Sequence, residues 1–288
     1  MRFLPFSRLV SLFVLLSFAV PAAAQSDLTL SQTDAAAISG AGTTLNGAQN
    51  STTAYRIVTA QDRSSLTVGA GATVSALRDF SGGNVAVTGG SLLELDTYFN
   101  SIAALSGGSV QSDSTLTYGG VNVFMNSTLN ISGGTVQDSV HTLEASTLNV
   151  SGGTLSGGVT ARQASTITVT GGTLGGTQLL YDSSNTFNLR GGHVAEFFLI
   201  AGTLNVYGTG LAFVPDGSTS PGEGTLTGFL QQTDPVTGLP YVLNAHVYNE
   251  GGQINLNPAP EPSAWVVLAV GVLSLTGLRL RARRRQSA

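Results

Sequence analysis

Few side chains in this sequence could carry out a chemical reaction, and the candidates are carboxylates that lie between Gly-Gly doublets. A polysaccharide hydrolase needs two carboxylates that face each other, and a lyase needs a base beside carboxylates that hold calcium. Glu144 and Asp182 each lie eleven residues after the first Gly of a doublet, and Arg162 is near the same position in the turn between them. These three residues are a weak candidate for a catalytic or calcium site, and we favour the alternative that they are solvated loop ends.

The remaining sequence features point away from metal and cofactor chemistry. His141, His193 and His246 are scattered, with no pair at i, i+4, so no metal site is predicted. The absence of Cys excludes a disulfide scaffold, a thiolate metal site and a cysteine nucleophile. Calcium-binding glycine repeats, a phosphate loop and a G-x-S-x-G elbow are also missing. The sequence therefore predicts a protein that is not an enzyme and that carries no cofactor.

An internal repeat supplies the elements that would position these side chains. Four aligned segments begin at Ser127, Ser146, Ser165 and Asn185, at spacings of 19, 19 and 20 residues. Each segment alternates apolar and polar residues, as a half-buried strand does, and then reaches a Gly-Gly doublet that can form a corner. Such a short unit cannot bury its own apolar face, whereas a stack of units can.

We therefore predict an all-β fold in which residues 38–211 form a parallel β-solenoid, a right-handed β-helix of roughly nine turns. A β-sandwich, in which the repeat only marks hairpins, is the alternative. The predicted organisation is a signal peptide at 1–24, an N-terminal cap with the first turns at 25–63, a Gly-Gly repeat solenoid at 64–211, a small antiparallel β cap at 212–257 and a sorting tail at 258–288.

The aligned repeats place apolar residues in three columns and polar residues in one outward column. The predicted core columns are Leu129, Leu148, Ile167, Phe187 and Leu204; Ile131, Val150, Val169, Leu189 and Val206; and Val136, Leu155, Leu174 and Val194. The outward column is Asn130, Asn149, Thr168, Asn188 and Asn205. It is interpreted as a ladder that stabilises the turns and, alternatively, as a polar face for polysaccharide. The S-x-G-G-T pattern resembles the β-helical passenger repeats of autotransporter adhesins.

Residues 1–24 have the three parts of a secretory signal. Arg2 and Arg8 accompany an apolar run of 12 residues, from Leu9 to Val20. Small residues follow, so we expect cleavage at the site formed by Ala22, Ala24 and Gln25. An uncleaved membrane anchor is the alternative, but a bilayer core needs about 20 apolar residues.

The C-terminal end also has three parts. Pro260-Glu261-Pro262 precedes the uncharged segment from Trp265 to Leu278, and a basic cluster follows, made of Arg279, Arg281, Arg283, Arg284 and Arg285. A plain membrane anchor with a cytoplasmic basic end is one interpretation. The order resembles the PEP-CTERM sorting tail of Gram-negative bacteria. That resemblance implies export, transient anchoring in the inner membrane by a transmembrane helix, processing by an exosortase-type protease, and delivery to the cell surface or extracellular matrix.

The net charge of −4 combines two basic ends with an acidic body. A body processed at both ends would keep five Arg against 15 acidic residues, a net charge of −10, which disfavours nucleic acid as a partner. We predict an exported, non-catalytic surface or matrix protein whose solenoid is a structural spacer or adhesin in the exopolysaccharide of a biofilm. The alternative is a polysaccharide-active β-helix enzyme, a lyase or hydrolase, that uses Glu144, Arg162 and Asp182.

Overall fold

The computed structural model describes residues 26–30, 35–38, 43–45, 48–50, 55–60, 63, 65–111, 120–217 and 222–259. Within these ranges the chain is all-β, with 22 strands and no helix. None of the described segments is a helix that could cross a membrane. The predicted signal peptide and the sorting residues from Pro260 onward lie outside the described residues.

Short strands make up most of the N-terminal and central parts, and longer strands make up the C-terminal part. In chain order they are β1 (Ser26–Leu30), β2 (Ala35–Ile38), β3 (Thr43–Leu45), β4 (Ala48–Asn50), β5 (Tyr55–Ala60), β6 (Ser65–Val68), β7 (Thr73–Asp79), β8 (Asn84–Thr97), β9 (Ile102–Val110), β10 (Gly120–Val123), β11 (Thr128–Ile131), β12 (Thr135–Val136), β13 (Val140–Thr142), β14 (Thr147–Val150), β15 (Thr154–Leu155), β16 (Val159–Ala161), β17 (Thr166–Leu180), β18 (Thr186–Leu199), β19 (Thr203–Pro215), β20 (Gly224–Thr233), β21 (Pro240–Asn249) and β22 (Gln253–Pro258).

These strands coil into a parallel β-solenoid with three sheets, and each turn adds one strand segment to each sheet. In sheet A, β11 pairs with β14, which pairs with β17. In sheet B the order is β12, β15 and β17, and in sheet C it is β13, β16 and β17. Because every one of these pairs is parallel and joins residues one repeat apart, the predicted parallel solenoid is confirmed and the β-sandwich alternative is wrong.

About seven turns are complete, rather than the roughly nine predicted. They begin at Ser65, Asn84, Ile102, Thr128, Thr147, Thr166 and Thr186. Near the N-terminal end, β3 and β4 pair with each other as an antiparallel hairpin. Near the C-terminal end, β19 runs on past Val206 as one extended strand. The segment there, Tyr207-Gly208-Thr209-Gly210, has no Gly-Gly doublet.

The core follows the predicted apolar columns. Leu129, Leu148 and Ile167 are fully buried, and all other members of the three columns are at most 7% exposed. Each fully buried aliphatic side chain contributes roughly 1.5–3 kcal/mol of transfer free energy. The alternation of apolar and polar residues in the repeat therefore stabilises the solenoid along its axis.

Both glycines of a doublet are required, for different reasons. In the Gly152-Gly153 doublet the second glycine has a φ of +79°, which side chains rarely adopt. The first glycine lies against the backbone carbonyl of Ser132 in the preceding turn, and a Cβ there would come within 3.0 Å of it. The same stacking relates Gly171 to Ser151. The doublet thus forms the corner and lets successive turns approach each other.

In two of the repeats, the opening serine, Ser146 or Ser165, hydrogen-bonds across the corner between sheets C and A. Two consecutive residues at this corner have left-handed backbone, for example Glu144 and Ala145. The buried hydroxyl of Ser146 then donates its single proton in a hydrogen bond shared by the carbonyls of Leu143 and Val123. Since left-handed residues other than Gly cost on the order of 1 kcal/mol, these hydrogen bonds offset part of that cost.

After Val206 the chain leaves the solenoid and returns to it. Residues 207–247, called here the C-terminal arm, contain an antiparallel sheet in which β20 pairs with both β19 and β21. The last four residues of β21 then pair in parallel with β18 in sheet C. β22 pairs in parallel with β19 in sheet A. The strands of 212–257 therefore form a mixed arrangement, rather than the purely antiparallel one predicted.

Candidate functional site

The three acidic and basic residues singled out from the sequence lie at the corner between sheets C and A. Glu144 is exposed at a left-handed position. Asp182 accepts a hydrogen bond from the backbone N–H of Gln163 at 2.7 Å. The guanidinium of Arg162 lies 4.1 Å from the ring centroid of Tyr181. Among the described residues, no ion pair joins Arg162 to either carboxylate, so their contacts are those of corner residues.

A different set of charged residues converges on the outer face of sheet C. Register places Arg78, Asp96 and Asn122 side by side on three successive turns. Glu94 lies two residues before Asp96 and therefore on the same face. Because neighbouring strands are about 4.8 Å apart, the side chains can contact one another between turns. We refer to Arg78, Glu94, Asp96 and Asn122 as the sheet C cluster.

The sheet C cluster is largely buried, and each of its two carboxylates lies beside a polar or charged side chain. Asn122 Nδ2 donates to Asp96 Oδ1 at 2.8 Å. Arg78 Nε lies 3.7 Å from Asp96 Oδ2, and Arg78 Nη2 lies 3.9 Å from Glu94 Oε2. The Asp96 side chain is only 3% exposed and that of Glu94 is 12% exposed. Substrate could reach Glu94 and Arg78 but has almost no access to Asp96.

Burial and the charge of a neighbouring carboxylate raise the pKa values of acidic residues in this region. Burial raises the pKa of Asp96 to about 7, a hydrogen bond with Glu94 and its charge add to the shift, and Asn122 and Arg78 oppose it. Burial also raises the pKa of Asp79 to about 8, the Ser101 side chain opposes that shift, and neither carboxyl oxygen of Asp79 has a hydrogen-bond partner among the described residues. Both carboxyl groups therefore hold a proton to a higher pH than an exposed Asp does. Such groups can act as acids, provided that substrate reaches them.

Aromatic rings stack along the corner next to sheet C. Phe80, Tyr98 and Phe124 occupy equivalent positions on three turns, with centroids 4.8 and 4.9 Å apart and rings 9° from parallel. Tyr98 is thus stacked on both faces, and Phe80 and Phe124 each cover one face of it. Phe99, 46% exposed, lies beside the stack. We interpret the column as packing that reinforces the corner.

The outer face of sheet A carries two polar columns in register. One is the predicted Asn column, in which Asn149 Nδ2 donates to Asn130 Oδ1 at 2.9 Å and Asn205 Nδ2 donates to Asn188 Oδ1 at 3.0 Å. The sequence interpretation missed its last member, Asn255, which donates to Asn205 Oδ1 at 2.9 Å. The repeated pattern of Ile254-Asn255-Leu256 could have revealed it.

The second column was also missed and consists of threonines. Thr128, Thr147, Thr166, Thr186 and Thr203 pair in register along sheet A. They lie two residues before the Asn column and so point outward with it. A side-chain amide has two N–H groups and two acceptor positions, and the ladder uses at most one N–H of each Asn. The two columns therefore present a continuous surface of hydroxyl and amide groups, which we call the sheet A face.

The histidines occupy three separate environments. His141 lies on sheet C, where burial lowers its pKa, the charge of Asp138 raises it and that of Arg162 lowers it. His193 packs edge-on against Tyr241, with centroids 5.1 Å apart. His246 lies at the end of the C-terminal arm next to two carboxylates. No sequence pattern predicts that last contact, because Asp216 and Glu223 are brought to His246 only by hairpin pairing.

Comparison of the chain with protein-family models, with curated proteins and with solved structures gave no match. The likeness of residues 260–288 to a PEP-CTERM tail, and that of the repeat to autotransporter passenger repeats, therefore stay predictions. Any functional conclusion has to come from the surfaces and clusters of this chain.

Proposed function

We propose that this chain is an exported, non-catalytic protein of the cell surface or extracellular matrix, and that it binds exopolysaccharide through the sheet A face. The observation that carries the proposal is the paired Thr and Asn columns, which repeat hydroxyl and amide groups at every turn. Sugars present the complementary groups, hydroxyls that both donate and accept. The solenoid holds the columns in fixed positions, so little side-chain entropy is lost on binding.

The charge of the body supports a neutral ligand. A body processed at both ends keeps a net charge of −10, which repels nucleic acid and strongly anionic polymers. The Thr and Asn columns of the sheet A face are uncharged, and Arg190, two residues after Asn188 on β18, borders them at one turn, where it stacks on Tyr207. Binding there would depend weakly on salt, since no ion pair has to form.

The hydrogen bonds and close charged neighbours of the acidic side chains support a role without catalysis. Asp96 is held by Asn122 and lies beside Arg78, and Asp182 accepts a backbone hydrogen bond at the corner. A hydrolase instead needs two carboxyl groups on either side of an accessible bond. The chain therefore acts as a spacer or adhesin in the biofilm matrix, without metal or cofactor in that role.

The two ends support export and sorting. Removal of residues 1–24 and processing near Pro260-Glu261-Pro262 by an exosortase-type protease would release the body after transient anchoring in the inner membrane. The coil is assigned the right-handed β-helix form, because parallel crossover connections are right-handed in nearly all proteins. The strands after Leu211 serve as its C-terminal cap, since an uncovered sheet edge invites aggregation.

Matched substitutions on two faces of the same turns test the binding surface. We expect the triple variant Thr128→Val, Thr147→Val and Thr166→Val to weaken binding to the host's exopolysaccharide by about tenfold or more, since each lost hydrogen bond costs about 0.5–1.5 kcal/mol. The control changes sheet B of the same turns, with Thr135→Val, Thr154→Val and Thr173→Val. Equal binding by both triple variants in a pull-down titration would contradict the proposed surface.

Mass spectrometry of the surface-displayed protein tests the sorting part independently. We expect the chain to begin at Gln25 and to end near Pro260. A surface form that retains Arg279 to Arg285 would contradict processing of the tail, whatever the outcome of the binding experiment.

A polysaccharide-active enzyme is the second candidate function, and the sheet C cluster is the observation that favours it. Asp96, with a pKa of about 7, lies beside Glu94 and Arg78. Glu94→Gln would abolish depolymerising activity if this cluster were catalytic, whereas Glu144→Gln would do so if the corner residues were. Wild-type protein without measurable activity on the host polysaccharide would exclude both versions.

A further inference from the structure

Three metal-ligand side chains meet at one end of the C-terminal arm. Asp216 directly follows β19, Glu223 directly precedes β20, and the backbone N–H of Asp216 donates to the carbonyl of Glu223 at 3.3 Å. Register pairs Thr225 of β20 with His246 of β21. Hairpin pairing thus brings together residues that are far apart in sequence. Among the described residues this is the only group of three such side chains that could hold one metal ion.

The distances between these side chains resemble those between ligands of a single ion. His246 Nε2 lies 2.9 Å from Asp216 Oδ2 and 3.7 Å from Glu223 Oε1. One ligand atom from each residue lies within 4.8 Å of the others. Zinc bonds of about 2.1 Å at tetrahedral or octahedral angles place ligand atoms roughly 3.0–3.4 Å apart. Small side-chain rotations would therefore complete a three-ligand site.

The excess of negative charge in this part of the chain favours the binding of a cation. Between Arg190 and Arg279 the sequence contains neither Arg nor Lys, while residues 191–259 include five acidic side chains. The sheet C cluster, by contrast, has Arg78 beside its two carboxylates. At the arm, His246 faces both Asp216 and Glu223. A divalent ion would neutralise both carboxylates at once.

The surroundings orient the ligands and leave them accessible. Thr225 Oγ1 donates to Asp216 Oδ1 at 3.3 Å, which directs the other oxygen toward His246. The His246 ring packs against Tyr248, with centroids 4.4 Å apart. The three side chains are 33%, 33% and 22% exposed for His246, Asp216 and Glu223. An ion can therefore enter from solvent and keep water ligands.

We propose that Asp216, Glu223 and His246 bind one divalent transition-metal ion, with zinc as the representative. A nitrogen ligand together with two carboxylates favours zinc, cobalt or manganese over calcium and magnesium, which prefer all-oxygen sites. The bound ion links the β19–β20 hairpin to β21. The site is independent of the polysaccharide-binding proposal, because it lies on the arm rather than on the sheet A face.

Zinc binding by the full chain, purified without a histidine tag, tests the site. Equilibrium dialysis against zinc chloride followed by elemental analysis should give one equivalent of zinc. His246→Gln and Asp216→Asn should each weaken binding by more than about tenfold. The matched controls His193→Gln and Glu250→Gln should bind as the wild type does.

Circular dichroism of each variant separates loss of the site from loss of the fold. A variant with the wild-type spectrum that no longer binds zinc supports the proposal. Zinc binding that is unchanged in His246→Gln, or absent from the wild type, would overturn it. So would a site that takes calcium in preference to zinc.

Discussion

The seven solenoid turns and the C-terminal segment, residues 203–259, use similar residue types in opposite ways. In the turns, equivalent positions stack in register, so a core residue, a corner glycine or an outward Asn recurs every turn. In the C-terminal segment hairpins set the register of β20 and of most of β21, whereas the start of β19, the end of β21 and β22 still pair in parallel in the solenoid sheets. Six of the eight large apolar side chains that are exposed among the described residues lie there: Val214, Phe229, Val236, Leu239, Val242 and Tyr248. Stacking therefore gives each residue of the turns close neighbours on both sides, and the arm has fewer such constraints.

The first test of this comparison, which has the largest expected effect, replaces one glycine by alanine in each region. We expect Gly152→Ala to reduce the free energy of unfolding by about 3 kcal/mol, because its Cβ would meet the carbonyl of Ser132 on the preceding turn. Gly238→Ala has no atom within 4 Å of its Cβ and only a left-handed φ of +69° to strain it, so about 1 kcal/mol is expected.

Urea unfolding monitored by circular dichroism measures both values. Equal losses for the two variants would mean that contact between stacked turns does not limit the solenoid corner.

The repeat made the solenoid predictable, whereas the arm and both charged clusters depend on information that the repeat does not contain. Period-two alternation and the doublet spacing sufficed for the core columns around Leu148. The sheet C cluster was hidden, because the spacing from Asp96 to Asn122 is 26 residues instead of one repeat. Contacts of His246 depend on how β19, β20 and β21 fold back on one another. No local sequence pattern predicts that pairing, since each strand alone shows only alternating apolar and polar residues.

A second test concerns buried acidic side chains, Asp79 and Asp96, which lie in the turns and have no counterpart among the described residues of the C-terminal segment. The folded-state pKa of Asp79 is about 8, above its ordinary value near 3.8. The folded state therefore holds this proton more tightly, and stability declines as pH rises from about 4 to about 8. The slope for one group cannot exceed about 1.4 kcal/mol per pH unit. We expect Asp79→Asn to flatten the dependence of the melting temperature on pH.

Glu250→Gln is the control for this test, since Glu250 is exposed in the C-terminal segment. Asp96, with a folded-state pKa of about 7, adds to the slope, so some dependence remains in Asp79→Asn. A melting temperature that rises between pH 5 and pH 8 in the wild type would contradict the assignment of a buried, protonated Asp79.

A third test, which has the smallest expected effect, compares an asparagine that is stacked in the ladder with one that is not. Asn149 donates to Asn130 and lies half-buried between two turns, whereas Asn244 is exposed on β21. Asn149→Thr should cost about 1 kcal/mol, the net value of one hydrogen bond, and Asn244→Thr should cost less than about 0.5 kcal/mol. Threonine is the informative replacement, because the same column already contains it at Thr168. If both variants unfold at the same urea concentration, the ladder does not stabilise the turns, and the amides of the sheet A face would be retained for what they bind.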